Sequence, residues 1–253
     1  MANLYADTEY TSNTVDTVLV EQSGRILLVG ATDDRMLFEW RLSRFTANGA
    51  FDTAFGTDGK VYPRPYHCDG VIRAGEQPGG AIVLTAGERG GTFCSFFTVP
   101  PALRFDAAGI RDITFNPGFF TPGGGNADVA FAVRPDGRLL YGASLAQMNA
   151  AALQQTLPNG APDSSFGNGG KVTFALAVGE GSRAADLVVL PDGSAVFAVL
   201  TPQRLVLFKV DAQGVPVTGS DPADNLPIPA TLTVPRVTRG RFLCTRCETD
   251  RCW

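Results

Sequence analysis

The sequence predicts an all-β fold made of consecutive β-hairpins. Three observations predict it: the composition, a glycine turn that recurs before an apolar run, and an Asp-x-x-Phe knuckle that alternates with that turn. The 253 residues include 29 Gly, 17 Pro and 17 Phe, with 44% hydrophobic residues. Many turn formers with scattered large apolar residues suit short strands joined by tight turns, and a chain of this length can bury a sizeable core.

The first landmark is a turn followed by an apolar strand. It reads Gln22-Ser23-Gly24-Arg25-Ile26-Leu27-Leu28, then Gln77-Pro78-Gly79-Gly80-Ala81-Ile82-Val83, then Pro135-Asp136-Gly137-Arg138-Leu139-Leu140, then Pro191-Asp192-Gly193-Ser194-Ala195-Val196. Taking Gly24, Gly79, Gly137 and Gly193 as equivalent gives steps of 55, 58 and 56 residues, in the range of propeller repeats. The second landmark places Asp three residues after Gly and Phe three residues after Asp. It occurs as Gly49/Asp52/Phe55, Gly109/Asp112/Phe115 and Gly160/Asp163/Phe166. A worn fourth copy begins at Gln213-Gly214, with Val217 at the Asp position.

Each unit therefore reads as strand, Gly turn, strand, loop, strand, knuckle, strand, the pattern of successive hairpins. Such a meander buries little alone, and radial repetition covers its faces and shortens its edges. The prediction is a β-propeller of about four four-stranded units. A closed four-bladed ring is the favoured arrangement and an open arc the alternative. The units span approximately 15–69, 70–125, 126–181 and 182–234, and residues 1–14 are positioned to complete the last blade. Residues 1–234 form the repeat domain, and 235–253 form an Arg- and Cys-rich tail outside it.

The two landmarks together resemble the delta-60 repeat, best in Asn48–Val61 (ending Phe55-Gly56-Thr57-Asp58-Gly59-Lys60-Val61) and Asn159–Val172 (ending Phe166-Gly167-Asn168-Gly169-Gly170-Lys171-Val172). The resemblance covers roughly residues 15–217. It implies a propeller-like repeat protein of bacterial type, secreted or associated with the cell envelope, and it implies no particular activity. The second copy departs from the pattern at Asn116-Pro117-Gly118, and the fourth lacks the knuckle.

Composition excludes several classes. A net charge of −4 argues against nucleic acid as the main partner. No apolar run approaches the roughly 20 residues of a membrane helix, so membrane insertion is not expected. Residues 1–7 lack the basic and apolar regions of a signal peptide, which leaves a cytoplasmic location open. The cysteines are Cys68, Cys94, Cys244, Cys247 and Cys252, an odd number that cannot all pair within one chain.

The recurring Asp52, Asp112 and Asp163 read as structural turn residues, each accepting a backbone N–H of its own turn. Phe55, Phe115 and Phe166 read as plugs between blades, because packing requires repetition and a ligand site breaks it. His67 is the only histidine, with Cys68 and Asp69 beside it. Adjacent strand residues point to opposite faces, so His67 and Cys68 do not form a nucleophile pair, and no catalytic residue is assigned. Gly123-Gly124-Gly125 lacks the Lys-Ser/Thr of a phosphate loop and reads as a connector. Cys244, Cys247 and Cys252 are weak metal candidates, since tetrahedral zinc wants a fourth ligand.

The functional expectation is a non-catalytic binding or scaffold module with no cofactor, because function on such frames lives in loops. The partner is an unspecified protein or small molecule. The loops that depart furthest from the repeat supply the candidate binding residues His67, Asp69, Phe93, Phe96, Phe119 and Phe120. Two alternatives stand beside this reading. One is a propeller-type hydrolase or lyase with acids at the channel mouth. The other is an assembly unit that oligomerises through open blade edges or the tail.

Overall fold

The computed structural model describes residues 12–33, 38–63, 66–67, 72–86, 102–115, 117, 129–145, 149–176, 183–201 and 205–217. Among the described residues there is no helix, and the strands form four antiparallel sheets. In the first, β1 (Ser12–Asn13) and β2 (Thr17–Val20) both pair with β3 (Ile26–Asp33). There β3 pairs with β4 (Phe38–Phe45), and β4 pairs with both β5 (Lys60–Val61) and β6 (Tyr66–His67), so six segments occupy four positions. The second sheet runs β7 (Ile72–Glu76), β8 (Ile82–Ala86), β9 (Ala102–Phe105). The third runs β10 (Val129–Val133), β11 (Leu139–Leu145), β12 (Ala150–Thr156), β13 (Lys171–Ala175). The fourth runs β14 (Arg183–Val189), β15 (Ala195–Leu200), β16 (Leu205–Val210). Each sheet is a meander in chain order and is called a unit below. The Arg- and Cys-rich tail lies outside the described residues.

The hydrogen bonds of the first turn revise one equivalence read from the sequence. Gly24, Gly80, Gly137 and Gly193 each donate to the carbonyl three residues back, at Glu21, Gln77, Arg134 and Leu190. The second unit therefore aligns on Gly80 rather than Gly79, and the spacing becomes 56, 57 and 56 residues. Two adjacent glycines made the register ambiguous, and the closing bond from Gln77 N to Ala81 O resolves it.

Side chains alternate across each strand, so each sheet has two faces. One face packs on the following unit and is termed forward; the other is the back face. Leu27, Val29 and Leu42 of unit 1 form one buried cluster with Ile72, Ile82 and Leu84 of unit 2. Val83 and Ala102 of unit 2 join Phe131, Leu139 and Tyr141 of unit 3. Leu140, Leu153 and Phe174 of unit 3 join Ala195, Phe197 and Phe208 of unit 4. The core is thus three inter-unit layers, each a forward face on a back face.

The two terminal faces differ. The forward position held by Leu27, Val83 and Leu140 is fully buried, whereas its counterpart in unit 4, Val196, is only half-buried. The back position held by Ile82, Leu139 and Ala195 is fully buried, whereas Ile26 in unit 1 is half-buried. Around them Val18 and Val20 are 61% and 68% exposed, and Val188, Leu200 and Leu205 are 43–49% exposed. Arg73 of β7 donates to the Ala185 carbonyl of β14 at 3.2 Å, so the first strands of units 2 and 4 lie within one side chain of each other.

Candidate functional site

The knuckle that repeats in the sequence is a three-part joint. Its first part is local. Asp52 Oδ1 accepts from the backbone N of Ala54 (3.3 Å), Asp112 Oδ1 from that of Thr114 (2.8 Å), and Asp163 Oδ1 from that of Ser165 (3.1 Å). A carboxylate two residues before an N–H is the Asx-turn arrangement that Asp favours. Its second part joins the two arms of the hairpin. The backbone N of Asp52, Asp112 and Asp163 donates to the carbonyl eight residues back, at Arg44, Arg104 and Gln155. The same side chains meet: Arg44 Nε donates to Asp52 Oδ2 (2.9 Å), Arg104 Nε to Asp112 Oδ2 (2.9 Å) and Gln155 Nε2 to Asp163 Oδ2 (2.8 Å).

The third part crosses to the next unit. Phe55 and Phe166 are fully buried and Phe115 nearly so. Each ring lies on a glycine of the following hairpin turn. A Cβ built on Gly109 meets Phe55 at 2.9 Å, one on Gly160 meets Phe115 at 3.0 Å, and one on Gly214 meets Phe166 at 2.8 Å. Only a residue without Cβ admits that approach, and these glycines also hold positive φ angles of 83–91°. The residue after the ring adds a backbone bond, Gly56 N to Ala108 O (2.8 Å) and Gly167 N to Gln213 O (2.7 Å). Arginines complete the crossing. Arg44 donates to Ala107 O (2.6 Å) and Arg104 to Pro158 O (2.7 Å), and their guanidinium carbons lie 4.2 Å and 4.7 Å from the ring centres of Phe55 and Phe115.

A second set of crossings starts from the first turn. Gln77 Nε2 donates to Gly137 O (2.6 Å) and Pro158 O (3.0 Å), and Arg134 donates to Gly193 O (2.5 Å). Glu21 holds the same position in unit 1 and is an acceptor only. Burial pushes its carboxyl up, opposed by Arg44 and by a bond from Ser23. Its Oε1 is buried without a hydrogen bond among the described residues. The carboxyls of the knuckle move the other way. Hydrogen bonds from Thr114 and then Arg104 hold Asp112 well below the ordinary carboxylate range. Burial raises Asp163, but the bonds from Ser165 and Gln155 outweigh it and leave its carboxyl low.

The sequence reading missed the partners of the aspartates. The signal was present as a basic or amide residue eight positions before each Asp, at 44, 104 and 155, and Lys209 stands eight before Val217. The fourth hairpin keeps its backbone despite losing its acid: Asp211 N bonds Val215 O (2.9 Å), and Val217 N bonds Lys209 O (3.0 Å).

Both landmarks close hairpins at one end of the sheets, and the other connections leave from the opposite end. There β3 ends at Asp33 and β4 begins at Phe38, and β8 ends at Ala86 and β9 begins at Ala102. His67 belongs to this end, since in β6 it pairs with Phe38, the first residue of β4. Asp69, Phe93, Phe96, Phe119 and Phe120 lie outside the described residues, as do all five cysteines. Among the described residues no group of three or more His, Cys, Asp or Glu side chains comes together as a metal site, and no helix is long and apolar enough to cross a membrane.

Compared with protein-family models, the chain finds no match, and no curated protein matches it.

Proposed function

We propose that this chain is a non-catalytic binding or scaffold module of the delta-60 repeat kind, its four units arranged as a propeller-like arc. One observation carries the functional reading: the repeat holds its turns constant at one end and varies its connections at the other. The knuckle end spends its ionisable groups on the joints, as Asp52, Asp112 and Asp163 each satisfy their own turn and a cation or amide. The opposite end carries a 15-residue connection between β8 and β9, where the equivalent gaps after β11 and β15 have four residues. Variable loops on a constant frame are where binding residues concentrate. The Arg73–Ala185 bond supports the propeller-like arrangement, because strands of units 2 and 4 meet only if the first strands converge on an axis. The exposed back face of unit 1 and forward face of unit 4 favour an arc over a closed ring. The partner class is a protein or small molecule, and an exported or envelope location belongs to the same reading.

The test exchanges the connection. Residues 87–101 are replaced by the unit 3 connection Ala146-Gln147-Met148-Asn149, and both chains are screened on peptide and glycan arrays. The reading expects unchanged melting with loss of the binding profile. Retention of the full profile in the exchanged chain overturns it.

A further inference from the structure

One seat of the repeated joint is built and empty. The hairpin turn of unit 1 has the backbone of the other three: Thr46 N bonds Ala50 O (2.8 Å), Gly49 N bonds Thr46 O (2.9 Å), and Gly49 has a φ of 84°. Gly109, Gly160 and Gly214 are buried beneath the knuckle rings of Phe55, Phe115 and Phe166. Gly49 is exposed, and a Cβ built on it meets nothing within 4 Å among the described residues. Beside this seat, the back face of the same unit presents Val18 and Val20, 61% and 68% exposed, in register with half-buried Leu28 and Ile26. At the internal joints the position of Leu28 is held by Leu84, Tyr141 and Phe197, all essentially fully buried.

The geometry points to the back face of unit 1 as a docking surface for a further repeat of the same kind supplied by a partner polypeptide. That partner presents an intact Asp-x-x-Phe-Gly knuckle and an apolar forward face. Three copies of the interface show what covers this surface, including the ring on the glycine and the backbone N–H on the turn carbonyl. Unit 4 is a poor donor, because Val217 and Ser220 stand where the other units have Asp and Phe. A second copy of this chain is a poor donor too, because its three knuckle rings are already buried in its own joints. The inference goes beyond the loop-borne binding proposed above, since it concerns the opposite, knuckle end and does not depend on that reading.

The probe is a synthetic peptide of residues 159–172, which carries Asp163, Phe166 and Gly167, titrated into the ¹⁵N-labelled full chain. A matching peptide with Phe166→Ala is the control. The expected result is a saturable shift of the Gly49 amide, several-fold larger than any shift at Gly109, Gly160 or Gly214, and its loss with the control peptide. An unmoved Gly49 amide, an equal response to both peptides, or equal shifts at all four glycines each overturns the proposal. Because the chain itself is unaltered, misfolding cannot mimic either result.

Discussion

The joint makes its sharpest energetic prediction within a single knuckle. In Asp112-Ile113-Thr114-Phe115, two large apolar residues stand two positions apart with opposite fates. Ile113 is 87% exposed, and Phe115 is 7% exposed with its ring on Gly160. Burying an aromatic side chain removes about 150–250 Å² from water, worth about 4–6 kcal/mol at roughly 25 cal/mol per Å². Measured Phe→Ala costs of about 3–5 kcal/mol include the cavity left behind. Phe115→Ala is therefore expected to cost about 3–4 kcal/mol, allowing for the ring's residual exposure and the loss of Arg104 stacking at 4.7 Å. Ile113→Ala is expected to stay within about 0.5 kcal/mol. Urea unfolding measures both. Because repeats couple mainly to neighbours, a lower m-value in Phe115→Ala would report unit 3 separating from unit 2. Equal costs for the two variants, or a cost below about 1 kcal/mol for Phe115→Ala, would refute the plug reading.

Three further outcomes follow from the same contacts. Asp112 and Asp163 hold their protons less tightly folded than unfolded, so their stabilisation is present above about pH 4 and is lost as pH falls below it. Asp112→Asn should flatten the acid limb of a melting-temperature profile, and an unchanged limb would count against this. Glu21 has the opposite sign: its raised carboxyl favours the folded state at low pH and loses that advantage as pH rises through its folded value. Glu21→Gln, which installs the amide found at Gln77, should raise melting at pH 7 and shrink that dependence. Arg104→Met removes the partner of Asp112 and the bond to Pro158 O, and should cost about 1–3 kcal/mol in chemical denaturation.

Much of the architecture was legible because the chain repeats itself. Strand and turn signals that are weak singly gain force when Gly24, Gly137 and Gly193 stand at nearly equal spacing. The all-β class and the order of strands in the sheets follow from that alternation. The register of unit 2 was obscured by Gly79-Gly80, two residues equally suited to positive φ, and only the closing hydrogen bond tells them apart. The cross-hairpin pairs were missed for another reason. Arg44, Arg104 and Gln155 differ in charge and shape, so no single residue type repeats, and what is conserved is a donor facing an acid. The open seat at Gly49 was invisible in sequence because its turn reads like the others, and its difference lies wholly in what fails to cover it.

The account's central claim is that the units are joined by rings seated on glycines, with three seats filled and one empty. Alanine at Gly109 and at Gly49 isolates that claim. The two positions have φ angles of 83° and 84°, so the backbone penalty of about 1–2 kcal/mol is common to both. At Gly109 the new methyl also meets Phe55 at 2.9 Å and Val61 at 2.8 Å, adding an overpacking cost of about 1–3 kcal/mol, and at Gly49 it meets nothing within 4 Å. Urea unfolding of the two variants should show Gly109→Ala less stable than Gly49→Ala by that margin. Equal stabilities would mean that no ring occupies the seat at Gly109, and would contradict the joint on which the fold is argued.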